Sequence, residues 1–352
     1  MAASFNHNRR RFLGATALAI AAGPLSLLNS EKAQATGIYP LRPYGRKTID
    51  QMLLVPIRQI DAGVLNIGYA ESGPVKGPVV ILLHGWPYDI HSFVEVAPIL
   101  AKAGYRVIVP HLRGFGSTRF LSGDTPRNGQ QSALAVDVIA LMDALKIQQA
   151  LLAGFDWGAR TACIVAALWP DRCKALVSVS GYLIGNRESG KQPLTPEAEY
   201  RWWYQYYFTT ERGRLGYELY KRDFTGLIWR LASPNWSFDA GTLDLSVSSL
   251  DNPDHVPVVV HNYRWRLGLA EGEPAYDALE KQLATAPVIS VPTITLEGDT
   301  NGAPHPEAAG YRNKFKGKYA HWLITGGIGH NLPQEAPDEF ANAIIEADSF
   351  NK

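Results

Sequence analysis

The chain has 352 residues, with 34 basic against 33 acidic side chains and a formal net charge of +1. That balance supplies no field to gather nucleic acid or an anionic membrane surface, so the expected partner is a small substrate that is not polyanionic. Two cysteines, Cys163 and Cys173, leave stability to an apolar core instead of a disulfide framework; whether the two are bridged stays open. The nine histidines are scattered without metal-ligand spacing, and neither a metal nor a cofactor is expected.

The first 35 residues read as a targeting segment. Three arginines at 9 to 11 precede Phe12, Leu13 and a short stretch rich in Ala and Gly. The order Arg-Arg-x-Phe-Leu resembles a twin-arginine export signal, and Ala33 and Ala35 give a cleavage site that puts the mature start near Thr36. A non-cleaved membrane anchor is the alternative. Export by this route implies a periplasmic or secreted protein and a transient partner in the export machinery.

From Ile57 the chain alternates short β-branched runs with longer helical patterns. "IRQIDAG" and "VLNIGYAESG" read as a hairpin, "PVVILLHG" as a buried strand, "SFVEVAPILAKAG" as a helix and "YRVIVPHLRG" as a strand. The helix "SALAVDVIALMDALKI" and the strand "QALLAGFD" follow, then a helix from Gly158 and the strand "ALVSVSG". The rhythm stops near Gly181 and resumes at "VPTITLEG", "YAHWLITG" and the helix "PDEFANAIIEA". This predicts an α/β fold with a mostly parallel sheet flanked by helices, its core split into 36–181 and 281–352. Between them, 182–280 is aromatic-rich, with helix starts at Thr195–Pro196 and Thr210, and reads as an inserted helical cap.

Three features carry chemistry. Gly154-Phe155-Asp156-Trp157-Gly158 follows a strand and opens a helix, with small residues two positions either side of Asp156, as a strained nucleophile elbow requires. "HGWP" (84–87) follows the strand "VVILL", where a loop N–H forms half of an oxyanion hole; the donors are then the backbone N–H groups of Trp86 and Trp157. His330, in "GGIGHNLPQEAPDEF", follows the last strand. Each piece alone is commonly a turn or a loop residue; in this order and context they specify the α/β-hydrolase fold.

On these residues the chain resembles the aspartate-nucleophile branch of the α/β-hydrolases, especially the epoxide hydrolases, from "HGWP" through "GFDWGA" to "GHNLPQEAP". The resemblance implies an ester between Asp156 and a substrate carbon, then hydrolysis by water that His330 activates. An aspartate suits an sp3 electrophile, because it is already ionised and leaves an ester that water can open, where a serine would leave an ether. "YQYYF" (204–208) and "HNYRW" (261–265) resemble the cap segments that carry two ring-opening tyrosines, which implies Tyr204 and Tyr263 as donors to the epoxide oxygen. Helical packing is the competing explanation, since Tyr200, Trp203, Tyr204 and Tyr207 share one stripe. The aromatic insert points to an apolar or aromatic electrophilic substrate.

The triad acid departs from the pattern. The family places an aspartate three residues after the glycine that ends "TITLEG"; that position is Asn301, with Asp299 two residues early and Glu297 a third candidate. Asparagine can orient an imidazole without stabilising its cation by charge. Asn301-Gly302 is also a pairing prone to deamidation to aspartate. Haloacetate dehalogenases resemble the chain at Arg160, where an arginine binds substrate carboxylate, although their second arginine would fall at Trp157; Arg160 and Gln205 are therefore candidate substrate contacts. Dehalogenation by the same aspartate is the alternative activity, with Trp157 as a halide contact, and a non-catalytic small-ligand scaffold is the third reading.

Overall fold

The computed structural model describes Leu54 and residues 56–350. The targeting segment and the mature start near Thr36 lie outside the described residues. The hairpin is β1 (Ile57–Ala62) and β2 (Leu65–Ser72), antiparallel and turned through Gly63 at φ 60°. Then come β3 (Val79–Leu83), α1 (Val96–Lys102), β4 (Arg106–Pro110), the short β5 (Arg119–Phe120), α2 (Gln131–Ala144), β6 (Ala150–Gly154), α3 (Trp157–Leu168) and β7 (Cys173–Val179).

Helices fill the stretch before the sheet resumes. They are α4 (Pro196–Arg201), α5 (Trp203–Tyr207), α6 (Glu211–Leu219), α7 (Lys221–Ala232), α8 (Ala240–Ser249), α9 (His255–Arg266) and α10 (Asp277–Leu283). Thr195 and Thr210 cap α4 and α6 by accepting from Ala198 N–H and Gly213 N–H, as their positions before Pro196 and Glu211 suggest. The chain closes with β8 (Thr293–Gly298), α11 (Ala308–Tyr311), β9 (Tyr319–Ile324), α12 (Leu332–Glu335) and α13 (Pro337–Ser349).

The strands lie in the order β1-β2-β4-β3-β6-β7-β8-β9, with β5 beside β2. Pairing is parallel from β4 through β9. Because side chains alternate along a strand, Ile81 and Leu83 of β3 join Leu134, Val138 and Ile164 on one face, while Val80 and Leu82 join Phe340 and Ile344 on the other. Both faces are covered, and the carboxyl ends of β3, β6 and β8 open on one edge, where an open α/β sheet presents its loops. Cys163 and Cys173 are both free and buried.

The aromatic run after Thr195 does not form one stripe. The backbone breaks at Trp202 between α4 and α5, so Tyr200 stands 75% exposed while Tyr204 turns toward Trp86 with its ring centroid 5.0 Å away.

Candidate active site

Asp156 occupies the bend between β6 and α3 at φ 51° and ψ −122°, a strained backbone for a non-glycine residue. The flanking glycines make that bend possible. A Cβ on Gly158 would stand 1.9 Å from the Leu83 carbonyl oxygen, and one on Gly154 2.6 Å from the Gly158 carbonyl carbon. The turn thus packs directly on the end of β3 and brings Asp156 beside the "HGWP" loop.

There the Trp86 backbone N–H donates to Asp156 Oδ1 at 2.8 Å, while Oδ2 lies 3.6 Å from His330 Nε2. Burial alone would raise the Asp156 pKa; contact with His330, the Trp86 N–H and the charge of Arg160 outweigh it and hold the carboxyl below its ordinary value. One oxygen is fixed by a donor, and the residue lines a cavity of about 420 Å³. Trp157 begins α3, and among the described residues its N–H forms no bond to Asp156. Its indole packs against Phe115 and Tyr263, next to the Tyr263 hydroxyl, and does not line the cavity. The Trp86 indole is occupied as well, donating to Tyr217 Oη at 2.8 Å.

His330 Nδ1 lies 3.2 Å from Asn301 Oδ1, so the amide stands where the family has its acid. Asp299 is not the partner: its carboxylate accepts from the backbone N–H groups of Gly326, Gly327 and Ile328 at 2.8 to 2.9 Å and so shapes the loop before His330. Glu297 stands one step behind. Asn301 Nδ2 donates to Glu297 Oε1 at 2.7 Å and to Ser180 Oγ at 3.2 Å, which turns the amide oxygen toward the imidazole. The Glu297 carboxylate thus reaches the imidazole only through an asparagine. Deamidation is opposed, since the Gly302 nitrogen that would attack the Asn301 amide is donating to Ala232 O at 2.8 Å.

The two tyrosines meet, with ring centroids 5.4 Å apart. Tyr204 lines the cavity and Tyr263 is buried against Trp86, 5.2 Å between centroids. Burial first, then neighbouring groups including the Asp156 charge, push both phenols well above their ordinary pKa, so both stay protonated donors. Arg160 lines the same cavity and anchors through Nε to Leu183 O at 3.1 Å. Gln205 is buried away from it and lines a neighbouring cavity.

Several residues escaped the sequence reading. Tyr88 lines the catalytic cavity with a buried hydroxyl that has no partner, its ring stacked on Trp229. Ser233 accepts from His330 N–H at 2.9 Å and donates to Glu335, whose carboxylate also takes the N–H groups of Gly329 and Asn331; these fix the histidine loop. Asp89 holds His91, Ser246 and Ser249 at 2.6 to 2.8 Å, tying α8 to the loop after β3. The Asp-x-His spacing at 89 and 91 was visible, but both serines lie far along the chain.

A profile of the alpha/beta hydrolase fold matches residues 78–216. The crystal structure of a candidate epoxide hydrolase from Klebsiella pneumoniae superposes with a TM-score of 0.84 at 60% identity, covering 85% of this chain and 99% of that one. Epoxide hydrolase B of Mycobacterium tuberculosis is 35% identical over 158 residues, 41% of this chain, so the match spans 44% of that relative's length. Epoxide hydrolase A of the same organism is 26% identical over 312 residues, covering 82% and 96%. With the elbow, the sheet order and a near-complete match at 60% identity in hand, the chain belongs to the α/β-hydrolase family, on its epoxide-hydrolase-like branch.

Proposed function

We propose that the protein is an epoxide hydrolase that opens its substrate to a diol through an ester on Asp156. The observation that carries this reading is the asymmetric carboxylate: Oδ1 held by the Trp86 N–H, Oδ2 3.6 Å from His330 Nε2, on a residue that lines the same cavity as Tyr204. Oδ2 attacks a ring carbon, the carbon–oxygen bond breaks, and Tyr204 and Tyr263 donate to the alkoxide. His330 Nε2 then takes a proton from water, whose oxygen attacks the ester carbonyl. The Trp86 N–H stabilises the charge that returns to Oδ1. Collapse breaks the bond from the carbonyl carbon to Oδ2, which takes the proton back from His330 and leaves as a hydroxyl of the diol, while the second water proton restores the tyrosine that protonated the alkoxide. Asn301, braced by Glu297, holds the imidazole with Nε2 facing the ester. The helices between β7 and β8 act as a cap. Dehalogenation is less favoured, since neither the Trp86 nor the Trp157 indole N–H is offered to the cavity.

A single turnover in 18O-labelled water tests the ester. The first diol should carry unlabelled oxygen from Asp156 while the label enters the Asp156 peptide; label in the first diol would mean direct attack by water and overturn the proposal. The sequence of residues 1–35 supports export by the twin-arginine route. Replacing Arg9, Arg10 and Arg11 by Lys should keep the protein in the cytoplasm, and unchanged export would remove that reading.

A further inference from the structure

Beside the catalytic pocket lies a second cavity of about 250 Å³, and Arg160 and Trp202 line both. Its wall carries three guanidinium groups, Arg160, Arg187 and Arg266, and no Asp or Glu. Arg187 is paired with Glu271 at 3.3 Å. Arg160 and Arg266 have no carboxylate within ion-pair distance among the described residues. Arg160 makes one backbone bond, and Arg266 lies over the rings of Trp202 and Tyr263, 5.8 and 5.6 Å from their centroids. Gln205, 5% exposed, adds an amide Nε2 without a partner.

Two like charges on one half-buried wall repel, and a partly desolvated cation without a counterion is costly. The strain registers on Arg160, brought down to about 10 by burial and then by the charge of Arg266. A buried N–H donor with no acceptor adds to the same imbalance. All of these groups seek an anion. Asp156 supplies one charge nearby but is engaged with Trp86 and His330 on the catalytic side.

We propose that this cavity is an anion subsite in which Arg160, Arg266 and Gln205 hold the carboxylate of an epoxy acid whose ring lies at Asp156. The assignment rests on the epoxide-hydrolase reading for the ring, and on the cavity alone for the carboxylate. A guanidinium offers paired N–H donors that match a planar carboxylate, and Arg160, shared by both cavities, joins the two ends of such a molecule. It replaces the apolar substrate expected from the aromatic insert with an amphipathic one: an apolar chain along Tyr204, Ile228 and Leu231, and an acid at its end.

The test compares terminal-epoxide carboxylic acids of increasing chain length with their methyl esters, at matched lengths. At the best length kcat/KM for the acid should exceed that for the ester by about tenfold or more, mostly through KM, since the contact lies away from the reacting carbon. Arg266→Gln should collapse that ratio and Arg266→Lys restore part of it; Arg160→Gln should act in the same direction. A ratio near one at every length, or one that survives both glutamine variants, overturns the subsite. Failure of the epoxide reading shows differently, as no turnover and no ester from either series. Calorimetry on Asp156→Asn with nonanoate and nonanamide then decides: nonanoate bound more tightly, with the difference lost in Arg266→Gln, upholds the subsite, and equal or absent binding of both overturns it.

Discussion

Replacing Asn301 by Asp restores the family's residue type and at the same time sets a second carboxyl where the amide now donates to Glu297 Oε1 at 2.7 Å. At an effective dielectric of about 20, two full charges at that separation repel by about 6 kcal/mol, equivalent to roughly four pH units of proton affinity. The pair therefore keeps one shared proton through neutral pH and titrates as a unit. The folded variant then holds a proton that the unfolded chain, with carboxyls near about 4, has released, so stability falls as pH rises from about 4 until the shared proton leaves. At about 2 °C per kcal/mol for a domain of this size, unrelaxed repulsion would lower Tm by about 10 °C, and relaxation reduces that to several degrees. The assay is Tm at pH 5 and pH 8 for wild type, Asn301→Asp and Glu297→Gln/Asn301→Asp. The single variant should lose several degrees more than wild type between the two pH values, and the double variant, with one amide again facing one carboxylate, should not. A single variant that tracks wild type across this range refutes the pairing of Glu297 with position 301.

Further outcomes follow from other parts of the site. His330→Gln should form the Asp156 ester and fail to open it, so intact mass shows a persistent adduct equal to the whole epoxide; an unmodified chain would remove His330 from the second step alone. Tyr204→Phe should slow ester formation by about tenfold or more while leaving ester opening near its original rate, read in rapid-quench experiments. Gly158→Ala, whose Cβ would stand 1.9 Å from the Leu83 oxygen, should leave little folded protein, read as lost soluble yield or a lowered Tm. Asp89 is buried, which would raise its pKa, yet His91, His111 and Ser249 hold it at about 2. Its stabilisation is present above the unfolded value near about 4 and is lost as pH falls toward about 2. Asp89→Asn should cost about 3 kcal/mol at pH 6 and flatten the acid limb of the Tm profile.

The alternation of strand and helix, the elbow glycines and the order Asp156 then His330 were legible because they depend on local pattern and chain order. Side-chain partners were less so. Asp299 stood at a plausible spacing, but the three N–H groups that absorb it belong to a loop closed by Gly326 and Gly327, which no spacing rule reads. Glu297 is the next-to-last residue of β8, where alternation alone does not say whether its carboxylate reaches the triad or solvent. The tyrosine pair came from resemblance, and its geometry depends on the break at Trp202 that separates Tyr200 from Tyr204. Arg266 carried no sequence signal, since an arginine in the last turn of a helix ordinarily serves the helix dipole.

Trp86 performs two jobs with one residue. Its backbone N–H holds Asp156, and its indole is tied through Tyr217 to His255, which is bonded in turn to the Gly114 carbonyl oxygen. Five aromatic rings, those of Tyr204, Phe208, Tyr217, Phe224 and Tyr263, stand 5.0 to 6.1 Å from it. Lifting the helical layer off the sheet would therefore pull on the residue whose N–H holds Asp156. The exposed Tyr200 and Leu231 line the same cavity and stand outside that set of five rings. The packing that holds the helices to the sheet is thus the same packing that registers the Asp156 carboxylate.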